Sequence, residues 1–74
     1  MTKDENIQSL HSMKRSLIKA HDEITSVAEH MEAQLTTEYD QATSREYGSV
    51  CRVLGILEEQ IAEISNQLTK LNSL

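Results

Sequence analysis

The sequence predicts an all-α protein, folded as an antiparallel two-helix hairpin with coiled-coil-like packing in one domain, residues 1–74. Apolar residues recur in alternating steps of three and four in both halves of the chain, which places them along one side of a helix. No segment alternates with the period of two that a half-buried strand requires. Chains of this size bury only about 60% of their unfolded surface, and one cysteine allows no internal disulfide. We therefore expect a marginal core that gains stability from another chain.

The first helix is predicted at about residues 3–36. Thr2 and Glu5 stand at the ends of a Ser/Thr-x-x-Glu sequence, the capping box that typically opens a helix. The predicted core seam of this helix consists of Leu10, Met13, Leu17, Ala20, Ile24, Val27 and Met31.

The second helix is predicted at about residues 44–72, after a turn at about 37–43. Thr43 and Glu46 form a second candidate capping box. A turn is favoured over one continuous helix because Leu10 and Tyr47 lie five heptads plus two residues apart, whereas continuous coiled coils are usually interrupted by three or four. The predicted seam of the second helix consists of Tyr47, Val50, Leu54, Leu57, Ile61, Ile64, Leu68 and Leu71.

The distribution of charge favours antiparallel pairing of the two helices. Residues 3–20 carry four bases and two acids, whereas residues 21–40 carry six acids and no base. The second half reverses this order, with two bases and one acid in 45–55 and three acids and one base in 56–74. Folding back sets segments of opposite net charge side by side, which selects the topology more than it adds stability.

Apolar residues outside the two seams predict an interaction surface, because contiguous exposed apolar area on a small protein usually marks a binding site. Gly48 and Gly55 are seven residues apart and share a helix face. Each costs about 0.8–1.0 kcal/mol relative to alanine, which favours close approach of another helix there; tolerated surface positions are the alternative interpretation. The candidate partner-binding residues are Ile18, Leu35, Gly48, Cys51, Val53, Gly55, Ile56 and Ala62.

The residue pattern gives no support for catalysis, a metal or a cofactor. His11, His21 and His30 are ten and nine residues apart, so they do not stack on one helix face. Glu59 and Glu63 are interpreted as a solvated face, because a catalytic carboxylate pair needs a cleft that separates its two pKa values. Cys51 is interpreted as a small apolar contact residue.

Composition excludes several classes of partner. The net charge is −5 and no basic stripe is present, which argues against nucleic acid and anionic membranes. The first residues lack the basic start and apolar run of a signal peptide, no stretch is apolar enough to span a membrane, and a single cysteine suits a reducing compartment. We therefore expect a cytoplasmic protein.

The second helix resembles the YscE/PscE/EscE-type co-chaperones of bacterial type III secretion systems over about residues 45–68. Family members have a charged or amide residue before a tyrosine, an apolar–Leu–Glu triplet about ten residues later, and further apolar residues. The residues that carry the resemblance are Arg45, Glu46, Tyr47, Ile56, Leu57, Glu58, Ile61, Ala62 and Ile64. The first helix agrees only in pattern, and the connecting segment departs, since family members often have glycine or proline where residues 38–42 read Glu-Tyr-Asp-Gln-Ala.

The resemblance implies an antiparallel hairpin that binds a tetratricopeptide-like partner chaperone in the bacterial cytoplasm. Through that partner, the chain would help to keep the needle subunit monomeric before export, as part of a virulence apparatus. Two alternatives remain open from the residues alone. One is a homodimeric helical scaffold, and the other is a small acidic inhibitor that binds an enzyme or transcription component through residues 21–40.

Overall fold

The structure, a computed structural model, describes residues 2–73 and contains two α-helices, α1 (Lys3–Thr37) and α2 (Gln41–Asn72), which pack against each other. The predicted all-helical hairpin is confirmed. The molecule is a rod of 53 × 16 × 14 Å with a radius of gyration of 16.7 Å, whereas a compact domain of this length has about 11 Å.

The turn between the helices consists of Glu38, Tyr39 and Asp40, and is shorter than the predicted segment 37–43. Glu38 and Asp40 have extended backbone conformations, with φ of −145° and −136°, and no described residue has a positive φ. The Glu38 N–H donates to the Gln34 carbonyl oxygen at 2.9 Å and closes α1. Extended backbone is open to any residue, so the chain reverses without glycine or proline.

The N-termini of the two helices are capped by side chains. Thr2 caps α1, as predicted, because its Oγ1 accepts from the Glu5 N–H at 3.2 Å. The second capping prediction is wrong: Asp40, not Thr43, caps α2, which therefore begins three residues earlier than expected. Asp40 Oδ2 accepts from the Thr43 N–H at 3.1 Å and from its hydroxyl at 2.7 Å. A carboxylate is further favoured here by the positive end of the helix dipole.

Two contacts between the helices show their register. His21 Nε2 lies 3.6 Å from Glu58 Oε1, and the Tyr47 hydroxyl donates to Glu32 Oε2 at 3.4 Å. In both pairs the residue numbers add to 79, as two antiparallel helices of equal rise per residue require. Residues whose numbers add to about 79 therefore lie opposite each other along this part of the hairpin.

The core between the helices is thin. Among the described residues only Ala28, Ile64 and Leu68 are buried, at 7%, 6% and 5% exposure. The predicted seam of α2 lies on the packed side throughout, half-buried or buried, at Tyr47, Val50, Leu54, Leu57, Ile61, Ile64, Leu68 and Leu71.

The packing of α1 differs from the predicted seam. Five predicted seam residues are half-buried as expected: Leu10, Leu17, Ile24 and Met31, which form one row, and Ala20 beside it. Beside them, the side turned towards α2 carries Lys14, His21 and Ala28, here called the inner row. On the other side of the row formed by Leu10, Leu17, Ile24 and Met31 lies a second row, here called the outer row, which consists of Met13, Ala20 and Val27. Met13 and Val27 are 53% and 52% exposed, so the prediction that they belong to the core seam is wrong.

The inner row packs although two of its members are polar. The same heptad spacing extends the inner row back to Ile7 and on to Leu35, which are both half-buried. Packing the inner row against α2 therefore brings apolar residues to both ends of the contact. Lys14 and His21 can pack their apolar parts while their polar tips reach solvent. Ala28, which is 7% exposed, is small enough for the helices to approach closely. The apolar stripe of α1 is consequently wider than the surface that α2 covers.

Candidate partner-binding surface

The isolated hairpin exposes more surface than a folded monomer of its mass usually does. Its accessible surface is 5530 Å², whereas a monomeric protein of 8.4 kDa exposes about 4,600 Å². The excess, about 900 Å², follows from the rod shape, because two helices cover only one side of each other. Surface of this kind is available for another chain.

One flank of the hairpin collects exposed apolar side chains from both helices, and is here called the apolar flank. It comprises the outer row of α1, in which Met13 and Val27 are exposed and Ala20 is half-buried. Val53 and Ile56 of α2, which are 44% and 52% exposed, complete it. Val53 and Ile56 are three residues apart and so are neighbours on the helix surface. The helix register sets Val27 beside Val53, since their numbers add to 80.

An open groove of about 530 Å³ lies at the Met13 end of the outer row, where both helices contribute to its walls. Met13 and Leu17 of α1 line it together with Gln60 and Ile64 of α2. The remaining lining residues are Ser9, Ser12 and Ser16. No charged side chain lines the groove, and interface centres are typically depleted of charge in the same way.

The opposite flank is acidic. It carries Glu32 and Glu58, which meet Tyr47 and His21 across the helix pair. Hydrogen bonding to the Cys51 thiol, together with the charges of Cys51 and Glu32, raises the pKa of the Tyr47 hydroxyl above its ordinary value. The carboxylates of Glu32 and Glu58 make this flank more polar than the apolar flank.

The eight predicted partner-binding residues do not form one surface. Cys51 and Val53 are two residues apart on a helix and point in widely different directions. Val53 and Ile56 lie on the apolar flank, whereas exposed Cys51 lies on the acidic flank beside Tyr47. The remaining members of α2 and α1 lie elsewhere: Gly48, Ala62 and Ile18 are exposed away from the apolar flank, and Gly55 and Leu35 are half-buried. Leu35 continues the inner row and packs towards α2.

Sequence reasoning missed the outer row as surface because it counted these residues as core. A signal was present, since the outer row is apolar throughout and the inner row also carries apolar residues at Ile7, Ala28 and Leu35. One antiparallel partner helix covers only one such row. A stripe with a third row is therefore a sequence sign of a second contact.

The two glycines of α2 have no role in the hairpin itself. A Cβ atom added at Gly48 or at Gly55 meets nothing within 4 Å, and neither glycine has a positive φ. Alanine would therefore fit at both positions and favour the helix by about 0.8–1.0 kcal/mol at each. The structure thus gives no reason within one chain for glycine at either position.

The candidate chemical residues are dispersed. His11 and His30 are exposed, while His21 lies between Thr25 Oγ1 at 3.5 Å and Glu58 at 3.6 Å. Glu59 and Glu63 are exposed on α2. Residues 2–73 contain no group of three or more His, Cys, Asp or Glu side chains placed to hold a metal ion.

Neither helix, over the described part of the chain, is long and apolar enough to cross a membrane. Searches among known proteins found no match to this chain: no family model, no curated protein and no solved structure.

Proposed function

We propose that this chain is a non-catalytic protein-binding hairpin that docks a helical partner on its apolar flank. The observation that carries the proposal is the outer row, where α1 presents Met13 and Val27 to solvent at 53% and 52% exposure. The same helix turns Lys14 and His21 towards α2. A sequence selected only for a two-helix hairpin would place its apolar residues in the inner row.

The specific form we propose is that of a YscE/PscE/EscE-type co-chaperone in the bacterial cytoplasm. The hairpin would bind a tetratricopeptide-like chaperone and, through it, help to keep a type III secretion needle subunit monomeric. Two features support this form: the residue pattern of about 45–68 and the two-helix fold with spare apolar surface. Binding would follow the helix-in-groove mode, in which apolar anchors on a helix enter a groove of the partner.

An acidic inhibitor is the second candidate. The six carboxylates of residues 21–40 are all exposed, so this part of the hairpin could meet a basic surface. Binding through these groups would weaken strongly with added salt, because exposed charges are screened within about 10 Å at 0.1 M ionic strength. Binding through the apolar flank would depend only weakly on salt, and this difference separates the two candidates.

The test of the proposed function is co-purification of the chain with a co-expressed tetratricopeptide-like chaperone of a type III system. Val53→Asp and Ile56→Asp place a carboxylate on the apolar flank at positions that the hairpin leaves exposed. Asn66→Asp is the matched control, since it adds the same charge at an exposed position of α2 outside this flank.

We expect wild type and Asn66→Asp to co-purify with the chaperone and to raise its melting temperature. Val53→Asp and Ile56→Asp should weaken binding at least about tenfold, which corresponds to about 1.4 kcal/mol, while circular dichroism stays unchanged. Equal binding by all four proteins would exclude the apolar flank. Absence of binding by the wild type would exclude the co-chaperone form.

A further inference from the structure

We propose that the outer row is also the contact between two copies of this chain, which meet α1 against α1 in antiparallel orientation with Ala20 at the two-fold axis. This pairing goes beyond the proposed function, because it needs no foreign protein. It would cover the apolar flank when no other partner is bound.

The spacing of the outer row is self-complementary. Met13, Ala20 and Val27 are separated by seven residues each, or about 10.5 Å along the helix. A two-fold axis at Ala20 sets Met13 against Val27 of the second copy, and Val27 against Met13 of the second copy. This reciprocal exchange is what a symmetric dimer contact requires. Ala20, at the axis, is the smallest of the three side chains and permits close approach of the two helices.

The charges of α1 favour the antiparallel arrangement of the two copies. Residues 3–20 have a net charge of +2, whereas residues 21–40 have −6. With Ala20 at the axis, the half with net charge +2 runs alongside the acidic half of the other copy. A parallel arrangement would instead set the two acidic halves side by side, which like-charge repulsion disfavours.

The hairpin has surface to spare for a second chain. Over all of its faces it exposes about 900 Å² more than a monomer of its mass usually does, and standard interfaces bury about 800 Å² on each partner; the outer row is one part of this surface. The acidic flank, with Glu32 and Glu58, lies on the other side of the hairpin and would face away from the contact. Two chains of net charge −5 can therefore pair without bringing these carboxylates together.

Sedimentation equilibrium of the full chain tests the pairing. Val27→Glu introduces a charge into the outer row at an exposed position, and Ile18→Glu introduces the same charge on the other side of α1 at a residue that is 40% exposed. We expect a mass of two chains for wild type and for Ile18→Glu at micromolar concentration. Val27→Glu should sediment as a single chain of 8.4 kDa with unchanged helical content.

Disulfide formation between copies tests the position of the axis. In a Cys51→Ser background, which removes the native thiol, Ala20→Cys places two thiols at the axis and should give a cross-linked dimer on oxidation. Val27→Cys is the control, because its two copies would lie about 21 Å apart along the helices, far beyond the reach of a disulfide.

Each result decides the proposal. A single-chain mass for wild type, a dimer that survives Val27→Glu, or a dimer lost with Ile18→Glu would overturn the contact. Cross-linking at Val27→Cys without cross-linking at Ala20→Cys would overturn the axis. None of these experiments includes the chaperone, so failure here leaves the proposed function standing, and failure of co-purification leaves the dimer standing.

Discussion

Replacing Gly48 and Gly55 by alanine should make the lone hairpin more stable. An alanine methyl group at either position meets open space in the single chain. The helix propensity of alanine then acts without any steric cost. The effect on a complex has the opposite sign if a helix of another chain packs against either glycine.

The expected size follows from helix propensity. Each substitution should raise the free energy of unfolding by about 0.8–1.0 kcal/mol. The two positions are about 10.5 Å apart on the helix, a separation at which effects usually add, so the double variant should gain about 1.6–2.0 kcal/mol. For a chain of this size, 1 kcal/mol moves the melting temperature by about 4–8 °C, so we expect a rise of roughly 6–16 °C.

The assay is thermal unfolding followed by circular dichroism, with Val27→Glu present in every protein so that self-association through the outer row does not contribute. Gly48→Ala, Gly55→Ala and the double variant are compared with this parent. An unchanged or lower melting temperature would refute the reasoning, because it would mean that atoms of the single chain occupy the space beside the glycines.

Three further predictions concern the faces and the caps. Ile64→Asp should unfold the chain, since Ile64 is 6% exposed and an unpaired buried carboxylate costs several kcal/mol. Ile56→Asp should leave the circular dichroism spectrum of the chain unchanged. Equal loss of helix in both variants would mean that the faces are misassigned. Hydrogen bonds from Thr43 hold the pKa of Asp40 below its ordinary value. The ionised cap therefore contributes its full stabilisation above the unfolded-state pKa of Asp40. That stabilisation is lost as pH falls through the lower folded-state pKa. Asp40→Asn caps without titrating, and its urea midpoint should therefore fall less than that of wild type below about pH 4; identical pH profiles would contradict this role. His21→Leu should raise the free energy of unfolding by about 1 kcal/mol, because the inner row faces α2, and a lower urea midpoint would show that the contact with Glu58 outweighs burial.

The fold was predictable because helical periodicity is a local property of the chain. The rows of α2 recur at heptad spacing without a polar interruption, so residues 44–72 could be assigned without any tertiary information. The turn was less certain, because Asp40 and Thr43 are both good capping residues. The choice between them depends on the backbone geometry of the residues before them, which periodicity does not report.

The candidate surface was harder to predict than the fold. The inner and outer rows are offset by one residue along the chain, or about 100° of rotation about the helix axis. Combined with Leu10, Leu17, Ile24 and Met31, either row gives a spacing of three and four residues. The outer row is the more apolar, so sequence reasoning placed Val27 in the core. The hairpin instead follows the heptad from Ile7 to Leu35, a choice that depends on contacts summed along the whole rod. For the same reason, Val53 and Cys51 could not be assigned to opposite flanks before the register was known.

The dependence of the wild-type melting temperature on chain concentration tests most directly whether a single hairpin is an incomplete folding unit. Because association stabilises a folded chain by mass action, we expect the midpoint to rise over a hundredfold increase in concentration, and to stay constant for Val27→Glu. A high midpoint that is independent of concentration, in a wild-type protein that sediments as one chain, would contradict the account.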